Sequence, residues 1–353
     1  IRQVSKSFPG VRALDDVSID FAPGEVHAIV GENGAGKSTL IKIICGIYQP
    51  DAGETLLDGQ PVVRHSYTAA LASGISLVSQ SGGMSHLIAF LSLRNQVGLS
   101  KIIGLGNRCN VDFPETVEYL IRDSQTKVIA LYLEGIDQPK RLMEAAWRVK
   151  GEKPILAYKV GRSPTSDRAS QFHTGTLAGN HEIYGGAFKQ AGILTVESSE
   201  ELLDAAKALS LCPPLEGSRV AVLSGQAGPG MAACDVCEME SLMIPAFSAE
   251  TQKKVEELLP PLAIRTNPVD MGPAWYDSAA IEGIVHTVLE DRKIDAVILC
   301  VMFASANRSA AGALTDLLSG RRPNKPTLCC FSSPPGIWGD EIKQLEASGI
   351  PNY

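Results

Sequence analysis

The sequence has no long apolar run and no excess of basic charge. Its strongest apolar run, Ala296–Ala304, has nine residues, whereas a membrane-spanning helix needs about 20. This run instead predicts a buried strand. The formal net charge is −7, whereas proteins that bind a nucleic-acid backbone usually carry a basic face. The composition therefore argues against a membrane span and against nucleic-acid binding.

The eight cysteines lack the regular spacing of a disulfide framework. Cys234 and Cys237 form a C-x-x-C pair, but the adjacent residues Cys329 and Cys330 do not supply the second pair that a zinc site needs. Eight irregularly spaced cysteines in a chain of 353 residues predict reduced thiols with a structural role. We therefore expect a cytoplasmic protein.

Short apolar segments alternate with amphipathic segments along most of the chain. The apolar segments predict buried strands at EVHAIV, SLVSQ, KVIALYL, PILAYKV, RVAVLSG, DAVILCVMF and PTLCCFS. Helical periodicity is present in DFPETVEYLIRDS, PKRLMEAAWRVKG and SEELLDAAKALS. This alternation indicates an α/β fold with parallel sheets and right-handed crossovers. The Pro- and Gly-containing segment Leu211–Ser218 predicts a domain boundary.

A glycine-rich loop follows the first apolar strand and leads into a helix candidate. From Gly31 it follows the pattern G-x-x-x-x-G-K-[ST], in which backbone N–H groups and a helix N-terminus surround a phosphate. Lys37 is predicted to reach the terminal phosphates, and Ser38 to offer its hydroxyl to Mg²⁺. The predicted nucleotide-binding residues of the loop are Gly31, Glu32, Asn33, Gly34, Ala35, Gly36, Lys37, Ser38 and Thr39.

The first 80 residues resemble the ATPase subunits of ABC transporters, especially the sugar importers. The resemblance is carried by SKSFPGVRALDDVSIDFAPGEVHAIVGENGAGKSTLIKIICGIYQPDAGETLLDGQPV. It implies that Phe8 stacks on adenine and that Gln80 contacts Mg²⁺ and the attacking water. The sequence has no LSGGQ-like signature, no apolar strand ending in Asp-Glu and no matching switch histidine. We therefore expect a truncated P-loop NTPase segment that binds a nucleotide at most.

A second phosphate-directed pattern combines one histidine with two small-residue turns, each before a helix candidate. Two helix N-termini that point at one place stabilise a dianionic phosphoryl group. A neutral imidazole between them, here His173, is a nucleophile towards an acyl phosphate or a nucleotide terminal phosphate. It needs an orienting carboxylate on its other nitrogen. The predicted phosphate-binding residues are Ser81, Gly82, Gly83, Thr174 and Gly175.

From Ser76 onward the chain resembles the NDP-forming acyl-CoA synthetases, relatives of the succinyl-CoA synthetase α subunit. The matching segments, in the order of that family, are SLVSQSGG, IIGLGNRCNVD, ALYLEG, AYKVGRS, HTGTLAGNHEIYGGAFKQAGILTVES, NPVDMG and IDAVILC. The resemblance implies that Glu134 orients His173, which carries a phosphoryl group from an acyl phosphate to ADP. It also implies ATP or ADP, Mg²⁺ and CoA as cofactors. The implied partner is an ATP-grasp subunit or domain, in a homo- or hetero-oligomer.

Four further basic residues lie in these segments. His86 and His181 are predicted to be exposed helix residues. Lys159 and Arg162 lie at a strand end, where they either point at phosphate or, as we expect, face solvent.

The two resemblances predict three domains: a partial ABC ATPase segment with a Walker A loop over 1–75, a phosphohistidine flavodoxin-like domain over 76–212, and a second flavodoxin-like domain over 213–353. The stretch Gly74–Gly83 fits both families. Because the downstream region offers more strands for it to pair with, we assign it to the acyl-CoA synthetase part. The CoA-binding and ATP-grasp domains of that family have no counterpart in the sequence, so we do not expect this chain alone to complete the reaction.

Three functions stay open at this point. The first is the core of an acid–thiol ligase that works through phosphohistidine. The second is the ATP-binding subunit of an ABC sugar transporter, whose partner would be a membrane permease. The third is an inactive gene fusion of natural, engineered or assembly origin. A weaker hypothesis is that the Gly31–Thr39 loop holds the pyrophosphate of CoA. The acyl group and the choice between ADP and GDP are not specified by the sequence.

Overall fold

A computed structural model describes residues 1–21, 32, 35–44, 48–57, 60–61, 73–108, 110–149, 152–163, 165–166, 181–302, 308–320, 324–332 and 337–353. The chain divides into two compact units, Ile1–Leu203 and Asp204–Tyr353. In the part that the structure describes, no helix is long and apolar enough to cross a membrane.

The elements of the first unit are listed here in chain order. Its strands are β1 Arg2–Phe8, β2 Val11–Val17, β3 Ala52–Glu54, β4 Leu56–Leu57, β5 Gln60–Pro61, β6 Ile75–Ser79, β7 Lys101–Gly104, β8 Val128–Leu133, β9 Ile155–Lys159 and β10 Ile193–Val196. Its helices are α1 Lys37–Ile44, α2 Gly82–Arg94, α3 Phe113–Arg122, α4 Pro139–Arg148 and α5 His181–Ala191. Helix α6, Ser199–Leu211, contains the boundary between the units.

The second unit continues the alternation of strands and helices. Its strands are β11 Val220–Ser224, β12 Val269–Asp270, β13 Ala296–Met302 and β14 Thr327–Ser332. Its helices are α7 Ala227–Met239, α8 Ala249–Leu258, α9 Ser278–Glu290, α10 Arg308–Gly320 and α11 Gly339–Ala347. Except for EVHAIV, which lies outside the described residues, each segment predicted as a strand or a helix from the sequence is confirmed.

The first strands form a small antiparallel sheet with its own core. β1 lies between β2 and β3. Val4 and Leu14 from this sheet are buried together with Leu40 and Ile43 from α1. The segment therefore buries apolar surface between its sheet and the helix that begins at the P-loop lysine.

The main sheet of the first unit has five parallel strands in the order β10-β9-β8-β6-β7. β6 and β8 are buried along their whole length, which is typical of a parallel sheet with both faces covered. Helix α3 begins with a capping box formed by Asp112 and Glu115. It buries Phe113, Val117 and Leu120. We number the five strands 1 to 5 in the order in which they occur in the chain, from β6 to β10. Read from the β7 edge, the sheet then has the order 2-1-3-4-5, which is the flavodoxin-like order.

The sheet of the second unit follows the same order. β12-β11-β13-β14 are parallel, and a parallel bridge from Cys329 to Asn352 extends the sheet beyond β14. Because side chains alternate along a strand, Leu223 points into the large core, while Val222 packs on the opposite face with Cys237 of α7. The predicted α/β fold with two flavodoxin-like parallel sheets is confirmed. The limits of the three predicted domains stay a prediction.

A bidentate ion pair fixes the starts of two neighbouring strands, β11 and β13. Arg219 Nε and Nη2 donate to the Asp295 carboxylate at 2.9 and 2.6 Å, and Arg219 N donates to it at 2.9 Å. These hydrogen bonds from Arg219 lower the pKa of Asp295 to about 2. The carboxylate is therefore charged, and the pair intact, throughout the neutral range.

We predict that Asp295→Asn lowers the urea midpoint of the second unit by roughly 0.5 M at pH 7. The folded pKa of Asp295 lies below the unfolded one, so its contribution is present above about pH 4 and is lost as the pH falls towards 2. Urea unfolding followed by circular dichroism at pH 7 and pH 3 should show a smaller difference at pH 3. Glu250→Gln, which removes an exposed carboxylate, is the control. Equal midpoints for Asp295→Asn and wild type at pH 7 would contradict the prediction.

Candidate functional site

The strand order of the first parallel sheet creates a crevice between the ends of β6 and β8. The chain leaves these two neighbouring strands towards opposite faces of the sheet, and doubly wound sheets bind ligands at this switch point. Ser79 is paired with Tyr132 near the ends of the two strands. Gln80 and Glu134 therefore follow at the same edge, although they are far apart in sequence.

The N-terminus of α2 opens at this edge. Ser81 is its N-cap, and Ser81 Oγ accepts a hydrogen bond from Met84 N at 3.3 Å. The first helical bond runs from Ser85 N to Ser81 O at 2.9 Å, so the N–H groups of Gly82 and Gly83 point out of the helix end. A Cβ at Gly82 would meet nothing within 4 Å. The helix end is thus open to an anion.

Gln80 connects this helix end to the loop that carries Glu134. Gln80 Oε1 accepts hydrogen bonds from Glu134 N at 2.5 Å and from Gly135 N at 3.0 Å. Two N–H donors require an oxygen acceptor, which fixes the orientation of the carboxamide. Nε2 is buried and has no hydrogen-bond partner among the residues that the structure describes. Oε1 is thus engaged by the loop after β8, and the predicted Mg²⁺ contact of Gln80 stays a prediction.

The rest of the loop after β8 is held by two further side chains. Ile136 N donates to Tyr184 Oη at 3.3 Å. The Arg108 guanidinium lies 3.3 Å from the Asp137 carboxylate and 3.4 Å from that of Asp112. Its side chain is only 2% exposed. The loop from Glu134 to Asp137 is therefore fixed at each of its four residues.

Glu134 itself is buried at the sheet edge. Burial raises the pKa of Tyr132, and the neighbouring Glu134 carboxylate, which is hydrogen-bonded to the phenol, raises it further. The phenol therefore stays protonated and donates to the carboxylate. A carboxylate held in this way has a fixed orientation, which is what a group that orients an imidazole requires.

The sequence prediction was wrong for Lys159 and for His181. Lys159 is buried rather than solvent-facing, and its Nζ lies 4.8 Å from the centre of the Tyr184 ring. His181 is half-buried, and burial together with Arg162 and Lys159 lowers its pKa. The exposed position predicted for His86 is confirmed. Arg108 was not predicted as a site residue from the sequence, although the motif IIGLGNRCNVD contains it.

Part of the predicted site lies outside the described residues, namely His173, Thr174 and Gly175. Their predicted roles therefore stay predictions. The same is true of Gly31, Asn33 and Gly34 in the P-loop and of the Ser38 side chain.

The described part of the P-loop has the expected backbone at one glycine. Gly36 has φ +82°, and a Cβ there would lie 2.3 Å from Ala13 O, so no other residue fits without a shift. Lys37 begins α1, and its Nζ donates to Glu32 O at 2.6 Å. Phe8 packs edge-on against Tyr48 with ring centres 5.3 Å apart.

The cysteines of the second unit behave as structural thiols. Burial raises the pKa of Cys234 and Cys237, and it raises that of Cys300 to about 11. All three are free. Within the described ranges, no group of three or more His, Cys, Asp or Glu residues could hold a metal ion.

Comparison with known proteins matches two separate parts of the chain. A family model described as a succinyl-CoA ligase like flavodoxin domain matches residues 72–209, and an AAA domain model matches residues 7–53. From Ser76 onward, the chain resembles the NDP-forming acyl-CoA synthetases. Its first 80 residues resemble the ATPase subunits of sugar-type ABC transporters.

Individual relatives show the same division. Acetate–CoA ligase [ADP-forming] II subunit alpha of Pyrococcus furiosus is 33% identical over 296 residues, which are 81% of this chain and 63% of that protein. A dinucleotide-forming acetyl-coenzyme A synthetase 1 of Candidatus Korarchaeum cryptofilum, solved with phosphate and ADP, has a TM-score of 0.73 and 27% identity over 79% of this chain and 61% of that one. The ribose import ATP-binding protein RbsA 1 of Streptomyces coelicolor is 60% identical over 80 residues, which are 23% of this chain and 16% of that protein. The chain thus spans less than two thirds of each of these relatives.

We predict that Gln80→Met lowers the unfolding free energy of the first unit by about 2–4 kcal/mol, because it leaves two buried N–H groups without an acceptor. Urea unfolding measures the change, and hydrogen exchange at Glu134 and Gly135 should become faster. Gln190→Met, at an exposed position, is the matched control. A Gln80→Met protein with wild-type stability and unchanged exchange would contradict the assigned hydrogen bonds.

Proposed function

We propose that the chain carries the phosphohistidine step of an NDP-forming acyl-CoA synthetase. The full reaction converts acyl-CoA, phosphate and ADP into the free acid, CoA and ATP. In this proposal His173 is the nucleophile and phosphoryl carrier, and Glu134 orients its imidazole. The phosphoryl group is cradled by Ser81, Gly82, Gly83, Thr174 and Gly175.

The observation that carries the proposal is the meeting of an open helix end and a fixed carboxylate at the switch point of one sheet. The N–H groups of Gly82 and Gly83 point out of α2, and Glu134 follows the neighbouring strand. Gln80 joins the two across the crevice through Oε1. Dianion binding at a helix end and imidazole orientation by a carboxylate are the two functions that a phosphohistidine needs.

The chemistry proceeds by two phosphoryl transfers after an acyl transfer. Phosphate attacks the thioester carbonyl, the C–S bond breaks, and CoA leaves as the thiol. The product of this step is an acyl phosphate. A neutral imidazole nitrogen of His173 then attacks phosphorus, and the free acid leaves with the bridging oxygen. Finally, a β-phosphate oxygen of ADP attacks the phosphorus of phosphohistidine, so that ATP forms and the neutral imidazole returns.

Glu134 has a distinct task in the second of these steps. As the imidazole forms its N–P bond it gains positive charge, which a carboxylate on the other nitrogen stabilises. The N-terminus of α2 stabilises the negative charge on the phosphoryl oxygens, because its N–H groups donate hydrogen bonds to these oxygens during the transfer. The chain's own residues thus stabilise both charges of the transfer.

The proposal requires groups beyond the described site. The relatives named as α subunits support a partner, which we propose to be an ATP-grasp subunit or domain that presents ADP or ATP with Mg²⁺. CoA enters as part of the acyl-CoA substrate, with its site outside the predicted domains of this chain. The free, weakly acidic thiols support a cytoplasmic location.

We predict that incubation with ³²P-labelled acetyl phosphate gives an acid-labile, base-stable label on the wild-type chain. His173→Ala should abolish the label, and Glu134→Gln should reduce its rate of formation by about 10²-fold, within the range for loss of one acid–base partner. His86→Ala, at an exposed position on α2, should leave the label unchanged. The readout is label per chain after separation under basic conditions.

Two outcomes would overturn this proposal. The first is a wild-type chain that takes up no acid-labile label, either from acetyl phosphate or from labelled ATP together with an ATP-grasp partner. The second is equal labelling of wild type and His173→Ala. Loss of the label in His181→Ala but not in His173→Ala would move the nucleophile to the half-buried histidine of α5. An unlabelled wild type that also binds no nucleotide would favour an inactive fusion.

A second candidate function, nucleotide binding by the first segment, is favoured by two observations. Gly36 adopts the left-handed backbone that its close approach to Ala13 requires, directly before α1. Lys37 at the start of that helix is drawn back to the Glu32 carbonyl. The arrangement supports a loop that binds phosphates through backbone N–H groups. In this candidate, the segment binds ATP in the manner of an ABC ATPase without turning it over.

We predict that Lys37→Ala weakens ATP binding by at least tenfold, because it removes the cation that faces the terminal phosphates. Isothermal titration with ATP measures the affinity. Lys42→Ala, on the same helix but at an exposed position, should bind ATP as wild type does. Undetectable ATP binding by wild type, or equal affinity of wild type and Lys37→Ala, would remove this candidate.

A further inference from the structure

We propose that Gln80 is part of the phosphate site, where Nε2 donates a hydrogen bond to the phosphoryl group while Oε1 holds Glu134 in place. The inference rests on the proposed function, because it concerns the same switch point. It gives Gln80 a role different from the metal contact that its place in the sequence implied.

The carboxamide of Gln80 is used on one side only. Oε1 accepts from the Glu134 and Gly135 amides. Gln80 is 4% exposed, and among the described residues Nε2 has no acceptor. A buried N–H group without a partner destabilises the folded state, because it has lost its hydrogen bonds to water. A ligand that supplies an acceptor would remove that cost.

The position of Gln80 indicates the chemical class of that ligand. Gln80 directly precedes Ser81, the N-cap of α2, whose first N–H groups lie at the exposed residues Gly82 and Gly83. A helix end favours an anion, and its N–H groups require an acceptor. A phosphoryl oxygen meets both conditions and also accepts from an amide NH₂ group. Inorganic phosphate is therefore the simplest probe of the site.

This arrangement would link the bound phosphoryl group to Glu134 through one rigid side chain. A phosphoryl oxygen that accepts from Nε2 would fix the orientation of the planar carboxamide. Oε1 lies in the same plane and accepts from the Glu134 and Gly135 amides, so their positions would be fixed as well. Gln80 would thus act on the phosphoryl group directly and on the imidazole as a positioning residue through Glu134.

Three variants separate the two halves of the carboxamide. Gln80→Glu keeps an acceptor for both amides and removes the NH₂ donor. Gln80→Met removes donor and acceptor without adding charge. Gln190→Glu adds the same charge at an exposed position on α5. Titration calorimetry with inorganic phosphate gives the affinity, and hydrogen exchange at Glu134 and Gly135 reports on the hydrogen bonds to Oε1.

We expect Gln80→Glu to keep the protection of the Glu134 and Gly135 amides and to lose at least tenfold in phosphate affinity. Gln80→Met should lose both the amide protection and the phosphate affinity. Gln190→Glu should keep both at the wild-type level. The affinity of Gln80→Glu relative to wild type should recover as the pH falls and the carboxylic acid regains a donor. Gln80→Met, which adds no charge, separates the loss of the donor from repulsion between the new carboxylate and phosphate.

Wild-type phosphate affinity in Gln80→Glu overturns the inference, and so does wild-type affinity in a folded Gln80→Met. If the wild type takes up label that His173→Ala lacks, while Gln80→Glu labels as fast as wild type, the inference fails and the proposed function stands. If the wild type neither binds phosphate nor takes up label, both fail together.

Discussion

The hydrogen bonds from Gln80 Oε1 to the Glu134 and Gly135 amides are the interaction on which the candidate site depends. The strand order 2-1-3-4-5 sends the chain away from β6 and β8 towards opposite faces, so a crevice forms where the strands end. Without a connection across it, the start of α2 and the loop after β8 would be positioned independently. Tyr184 and Arg108 fix the remainder of that loop. The position of Glu134 therefore depends on contacts with residues from other strands and helices, and not only on the local conformation of its own loop.

The chain contains two helix N-termini for which we propose phosphate binding through backbone N–H groups. In the first segment, a glycine-rich loop leads into α1, and in the first parallel sheet Ser81 to Gly83 lead into α2. The stretch from Gly74 to Gly83 matches both families in sequence. In the structure its strand pairs with β7 on one side and with β8 on the other. Because a strand can pair in only one sheet, this stretch belongs to the part that resembles the acyl-CoA synthetases, as predicted from the sequence.

The sequence predicted the central strands because they are continuous apolar runs, as in VIALYL and AVILCVM. It did not mark β7 or β10 as strands, because each has only four residues and two of the four are exposed. Within the site, Ser81 was predicted from a local turn pattern and Glu134 from the family resemblance. The contacts of Gln80, Arg108 and Lys159 were not, because they join residues of different strands and loops. No local pattern records that Gln80 lies beside Glu134, 54 positions further along the chain.

The central claim is that phosphate binds where β6 and β8 diverge. Titration of the isotope-labelled chain with inorganic phosphate, followed through backbone amide NMR signals, tests it most directly. We expect the amide signals of Gly82, Gly83, Glu134 and Gly135 to shift together with one affinity. The signals of Gly225 and Gln226, which follow the equivalent first strand of the second unit, should not move. Shifts confined to the second unit or to the P-loop, or the absence of shifts at millimolar phosphate, would contradict it.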